Sequence, residues 1–108
     1  MNSAYYAVIF TSLRNENDPS GYEKMADRMI ELAKEQKGFV GVESARSSDG
    51  FGITVSYWQS KDDIRNWKSH SEHQMAQEFG RSKWYTTFTT RICEVQREYS
   101  FSSKDSHD

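Results

Sequence analysis

Residues Ala4-Tyr5-Tyr6-Ala7-Val8-Ile9-Phe10-Thr11-Ser12, AYYAVIFTS, decide how this chain folds. The run is short, apolar and rich in β-branched and aromatic residues, which predicts a strand. Successive side chains of a strand point to opposite faces. Tyr6, Val8 and Phe10 therefore share one face, and Tyr5, Ala7 and Ile9 the other. Both faces are apolar, so both need cover. Helices can supply one cover. A ligand, a second sheet or a second subunit must supply the other.

Outward from this strand, Arg14 to Pro19 (RNENDP) is a polar turn. Ser20-Gly21-Tyr22-Glu23 fits the capping box, in which a serine and a glutamate satisfy the orphan N–H groups of a helix start. Tyr22, Met25, Ala26, Met29, Leu32 and Ala33 follow at helical spacing, and Lys37-Gly38 predicts the stop. Phe39–Arg46 and Gly52–Trp58 read as two strands joined by the turn Ser47-Ser48-Asp49-Gly50. Val40 and Val42 alternate with small or polar residues in the first, and Ile53, Val55 and Tyr57 in the second. Ser60 caps a second helix, with Asp62 and Asp63 in the first turn, where the helix dipole favours acids. Ile64, Trp67, Ser71, Met75 and Phe79 form its inner stripe, and Gly80 is the expected stop. Trp84–Tyr99 reads as one β segment of about 15 residues, longer than a usual strand, so a bulge or an extension past its own sheet is expected.

The element order is β-α-β-β-α-β, the ferredoxin-like split βαβ pattern. The predicted fold class is therefore α+β: an antiparallel four-stranded sheet with both helices on one face. The doubly apolar first strand says that the other face is covered too. A homodimer that packs two sheets face to face into a dimeric α+β barrel, with the long last strand reaching across, is the simplest completion. Residues 1–101 form a single domain on this reading, and 102–108 a polar tail without order.

The chain has 108 residues with 14 basic and 16 acidic side chains well interspersed, for a net charge of −2. No basic cluster exists, so nucleic acid is not an expected partner. One cysteine, Cys93, excludes an internal disulfide and fits a reducing compartment. It reads as a small buried filler. No apolar run is long enough to span a membrane, and MNSAYYAVIF lacks the basic region and apolar core of a signal peptide. The expected location is the cytoplasm.

Gly38-Phe39-Val40-Gly41-Val42-Glu43, Val55-Ser56-Tyr57-Trp58-Gln59-Ser60, Ile64-Arg65-Asn66-Trp67-Lys68-Ser69-His70 and Gly80-Arg81-Ser82-Lys83-Trp84-Tyr85 occur in this order. In that order and spacing they resemble the antibiotic biosynthesis monooxygenase domain family, over about residues 4 to 101. The resemblance implies a dimeric α+β barrel with a pocket in each subunit between sheet and helices. It implies one of two chemistries. Some members oxidise anthrone-like or quinol-like aromatics with O₂ and neither metal nor flavin; others bind and degrade haem. The haem-degrading branch has an Asn-Trp pair on the second helix and a histidine ten residues after that tryptophan. Asn66 and Trp67 match, but Gln77 stands where the histidine is expected, and Ala4–Ser12 lacks that branch's asparagine. The reading taken is an oxygenase acting on a small aromatic ligand without a cofactor; the alternative is a dimer that binds, and in some forms degrades, haem, or that binds a small ligand without catalysis.

Candidate site residues follow from that pocket. At about 100° per residue from Ile64, Trp67 stays within about 60° of the inner stripe, His70 falls near −120° on the flank, and His73 near 180° on the far side. His70 is the candidate base, with Trp67 and Tyr57 positioning the substrate. Tyr6, Trp84, Tyr85, Arg91 and His73 are candidate substrate contacts, Arg91 as a stabiliser of an enolate or superoxide. Each has a plainer reading as well. The tryptophans and tyrosines serve equally as core, the histidines as a polar flank, and Arg91 as a partner of Glu43 or Glu94. His73 reaches a site only if the helix breaks near Ser69–Ser71. His70 and His73 share a helix side but have no third ligand at a recognisable spacing, so no metal site is expected.

Overall fold

A computed structural model describes residues 4–16, 19–79 and 84–103. Six elements follow in the predicted order: β1 (Tyr5–Arg14), α1 (Pro19–Lys34), β2 (Phe39–Arg46), β3 (Phe51–Trp58), α2 (Lys61–Phe79) and β4 (Tyr85–Val95). The four strands form one antiparallel sheet in the order β2-β3-β1-β4. The expected helix stop at Gly80 and the tail beyond Ser103 lie outside the described residues.

The alternation of β1 sets the two faces. Ala33 of α1 and Ile64 of α2 pack with Trp58, Tyr6, Val8 and Phe39, so the helices lie on the Tyr6 side. Cross-strand partners share a face. Tyr6 pairs with Trp58, Val8 with Ser56 and Ile92, and Phe10 with Thr54 and Thr90. The apolar alternation of β3 (Ile53, Val55, Tyr57) pairs with Thr11, Ile9 and Ala7, and therefore faces away from the helices. On that outer face Leu13, Phe51 and Ile53 are exposed.

Four sequence expectations shift. First, α1 begins at Pro19, whose missing N–H and fixed φ suit a first helical position; Ser20 is already inside the helix and cannot cap it. Second, α1 ends at Lys34 and closes with tightened bonds, Glu35 N–H to the Leu32 carbonyl (3.2 Å) and Gln36 N–H to Ala33 (3.0 Å), before Gly38 turns the chain at φ +85°. Third, a bulge between Phe39 and Gly41 breaks the expected alternation of β2. Phe39 takes the inward place opposite Trp58, and Val40 is 50% exposed. Fourth, β4 stops at Val95, opposite Tyr5, because β1 offers no partner further on. The expected bulge is present between Leu13 and Arg14, and the chain continues to Ser103 outside the sheet.

The cap of α2 is built as the sequence predicts. Asp63 N–H donates to Ser60 Oγ (3.1 Å), and the Ser60 hydroxyl donates to Asp63 Oδ2 (2.9 Å). Asp63 is buried against Gly38, where an added Cβ would stand 2.0 Å from Asp63 Oδ2. Gly38 is thus required twice, for its left-handed φ and for this approach. Gly38→Ala should cost about 1–2 kcal/mol from backbone conformation and roughly a further 1 kcal/mol by displacing the cap. In an Asp63→Gly background, which removes the whole clashing side chain, only the backbone share should remain, as urea unfolding midpoints will show; equal costs in both backgrounds would refute the contact.

Candidate functional site

The helices do not cover the whole of their face. Phe88 and Ile92 of β4 point to the helix side, opposite Ser12 and Val8, yet stay 60% and 55% exposed. Tyr6, Val8 and Phe10 beside them are half-buried. The result is an apolar strip of β1 and β4 left open beside α2, a shallow cleft with the two strands as its floor. α2 forms its wall: Trp67 packs on the cluster that holds Tyr6 and Val8, and Met75 on the cluster of Tyr22, Met25 and Trp84 to which Tyr85 also belongs.

An aromatic ladder holds one end of the cleft. Trp58 is fully buried, wedged edge-on against Phe39 (5.6 Å), with its indole N–H donated to Ser56 Oγ (2.9 Å). Trp67 stacks on it at 5.8 Å and 24°, and His70 follows at 6.2 Å from Trp67. His70 is half-buried, as its flanking angle predicts. Ser71, next on this side, spends its hydroxyl on the Lys68 carbonyl (3.0 Å). α2 is one uninterrupted helix, so His73 is exposed on its far side and does not join the cleft.

Other aromatic rings meet at the opposite end. Tyr85 contacts Phe10 (5.4 Å), Phe88 (5.9 Å) and Tyr22 (5.8 Å). Trp84 is buried against Tyr22 and Met25 as core and does not face the cleft. Burial, helped by the Tyr22 hydroxyl beside it, pushes the Tyr85 phenol well above its usual value; the Arg46 guanidinium pulls the other way.

Two candidates stand elsewhere. Tyr57 pairs with Ala7 on the outer face, where its hydroxyl donates to Glu43 Oε1 (2.9 Å). That hydrogen bond to a carboxylate raises its pKa. Arg91 pairs with Ile9, also on the outer face, and is exposed. The sheet separates both from His70. One residue of register decides this, because each step along a strand changes face. Cys93, opposite Ala7, is exposed on the outer face and is not the buried filler expected of it. Phe10 and Phe88 are the cleft residues that sequence reading passed over, and Trp58 is the buried support beneath Trp67. For Phe10 the strand alternation shared with Tyr6 was the available signal. Phe88 had none, because only the pairing of β4 with the distant β1 sets its face.

Among the described residues no group of three or more His, Cys, Asp or Glu side chains is placed to hold a metal ion, and no helix is long and apolar enough to cross a membrane.

This arrangement has relatives. The family model described as antibiotic biosynthesis monooxygenase matches residues 4–78. The chain belongs to the antibiotic biosynthesis monooxygenase family. It is 55% identical over 97 residues to the uncharacterized protein YqjZ of Bacillus subtilis (strain 168), covering 90% of this chain and 84% of that protein. Two solved members of similar fold differ in chemistry. A variant of MhuD, with two manganese protoporphyrin IX molecules bound per active site, gives a TM-score of 0.71 at 14% identity, over 89% of this chain and 99% of that one. A variant of SnoaB, a cofactor-independent oxygenase from Streptomyces nogalater, gives 0.68 at 15% identity, over 90% and 97%. At these identities the likeness is one of fold.

Because the folded state of this family member holds the Tyr85 proton more tightly than the unfolded chain, that share of stability is complete below pH 10.0 and is lost as pH rises above it. Unfolding midpoints of wild type should fall from pH 9 to pH 11 more steeply than those of Tyr85→Phe. Equal slopes would contradict the buried phenol.

Proposed function

We propose that this chain is a small monooxygenase that oxidises an electron-rich phenol or quinol with O₂ in the cleft between α2 and the β1–β4 floor. The observation that carries this reading is the Trp58–Trp67–His70 ladder: an imidazole held half-buried on a rigid aromatic stack beside an open apolar floor. A phenolate yields an electron to O₂ far more readily than a phenol does. The protein therefore needs to remove one proton in a water-poor site and hold the ring in place. His70 takes the phenolic proton, Trp67 stacks on the ring and Tyr6 closes the floor. One electron then passes from phenolate to O₂, and the superoxide and aryloxyl radical combine at a ring carbon. Loss of water from the resulting peroxide leaves the quinone. The substrate supplies both electrons, so neither flavin nor metal is needed.

The likeness to MhuD, together with the exposed Phe88 and Ile92, supports a second reading in which the cleft takes haem. His70→Ala should lower O₂ uptake with a hydroquinone panel by about 100-fold or more; unchanged turnover removes His70 from the mechanism. A saturable Soret band at one haemin per subunit, lost in His70→Ala, would favour the haem reading instead.

The outer face calls for a second copy of the chain. Tyr5, Ala7 and Ile9 stand beside Tyr57, Val55 and Ile53 in a continuous apolar surface that no helix covers, of a kind that soluble proteins seldom leave bare. Beyond Val95 the chain runs on with Tyr99 and Phe101 at 84% and 86% exposure, and this exposure supports a segment that reaches across a second copy. Among the described residues, Glu98 accepts from the Tyr5 hydroxyl and ties the intervening stretch back to β1. Sedimentation should give about twice the 12.6 kDa chain mass, and Val55→Lys, a charge set in that surface, should give the single-chain mass. A wild-type monomer would refute the pairing.

A further inference from the structure

At the Tyr85 end of the cleft two arginines share one ring. The guanidinium of Arg14, at the end of β1, lies 5.0 Å from the Tyr22 ring centroid, and that of Arg46, at the end of β2, lies 4.8 Å from it. Arg46 reaches this place across Gly52: an added Cβ there would meet Arg46 Nε at 3.6 Å. Arg46, Gly52, Ser12 and Phe88 occupy one cross-strand row on the helix side. The arginines therefore close the same face that floors the cleft.

Their charge is not neutralised within the described residues. Arg28 and Arg65 find carboxylates, Glu78 at 3.1 Å and Asp62 at 2.7 Å, whereas neither Arg14 nor Arg46 forms such a pair. Arg46 Nη2 donates to the Tyr22 hydroxyl (3.0 Å), and Arg14 Nε is buried with no hydrogen-bond partner. A ring face offsets part of a cation's charge but accepts no in-plane N–H bond. Two guanidiniums also repel each other across a single ring. A buried, unmatched donor is costly, and it leaves the rest of the Arg14 guanidinium without a carboxylate to offset its charge. A planar carboxylate satisfies the guanidinium fork and cancels the charge in one step.

We infer that Arg14 and Arg46 receive the carboxylate of an elongated ligand whose apolar body lies in the cleft. This rests on the cleft being the ligand site proposed above. Along β1 the four residues from Phe10 to Arg14 span about 13 Å and the six from Val8 about 20 Å. A ligand that reaches from the arginines toward the Trp67–His70 ladder therefore needs an apolar body longer than a single ring. The substrate class is an aromatic or polycyclic acid, oriented with its acid end away from His70.

The test compares 2-anthracenecarboxylate with 2-anthracenemethanol, followed by quenching of tryptophan fluorescence. Wild type should bind the acid at least tenfold more tightly than the alcohol, and Arg46→Gln should reduce that ratio to within twofold. Equal affinities in wild type, or a ratio preserved in Arg46→Gln, would overturn the inference while leaving the cleft as a ligand site. If neither probe binds, the cleft reading fails. The arginine pair is then judged by an acetate titration of wild type, read on the arginine Nε–Hε NMR signals. Saturable shifts confined to Arg14 and Arg46 would support an anion site there; no shift, or shifts shared by all arginines, would overturn it.

Discussion

The stack of Trp67 on Trp58 is the contact from which the rest of this structure is organised. Trp58 closes β3, has no surface in water, and is held by Phe39 at its edge and by Ser56 at its N–H. Because α2 starts three residues later on a Ser60–Asp63 cap, the stack fixes both where the helix begins and how it is rotated. That rotation sets His70 at the rim of the cleft and turns His73 to solvent. Burying an indole of this size contributes several kcal/mol on the scale of aromatic core truncations, about 3–5 kcal/mol. A comparable rotation of α2 by polar contacts alone would be weak, since its surface ion pairs, such as Lys68–Glu72, are worth only about 0.3–0.5 kcal/mol each.

The second constraint is the shortage of helix. Two helices cannot cover a four-stranded sheet whose central strand is apolar on both sides. The chain leaves two uncovered regions of different character. The outer face is broad and continuous, suited to a flat partner such as another sheet. The strip at Phe88 and Ile92 is narrow and walled by α2, suited to a small apolar ligand. The same deficit of cover thus motivates both the proposed assembly and the proposed site.

The polar groups of the cleft stand at its two ends. An imidazole lies at one, and two guanidiniums with two phenols at the other, with Phe10 and Val8 between them. Such a layout suits a ligand that is apolar in the middle, with different chemistry at each end. The outer face holds its own polar set, Tyr57 with Glu43 and Tyr5 with Glu98, where each carboxylate keeps its phenol protonated. Those phenols lie across the sheet and serve no role in the cleft.

Much of this was legible in the residues themselves. The element order, the hairpin at Asp49-Gly50, the cap at Ser60 and the two apolar faces of β1 are local patterns of period, turn chemistry and capping, and these operate within a few residues of the chain. His70 on the flank of α2 followed from helical geometry alone. What the tertiary structure decided was register and aim. The pairings of Tyr57 with Ala7, Arg91 with Ile9 and Phe88 with Ser12 assign Tyr57 and Arg91 to the outer face and Phe88 to the cleft. Arg14 and Arg46 are 32 positions apart and meet only because α1 brings Tyr22 between them. A strand reveals its alternation from sequence, but which phase faces the helices depends on pairings between distant segments, and no local signal carries that information.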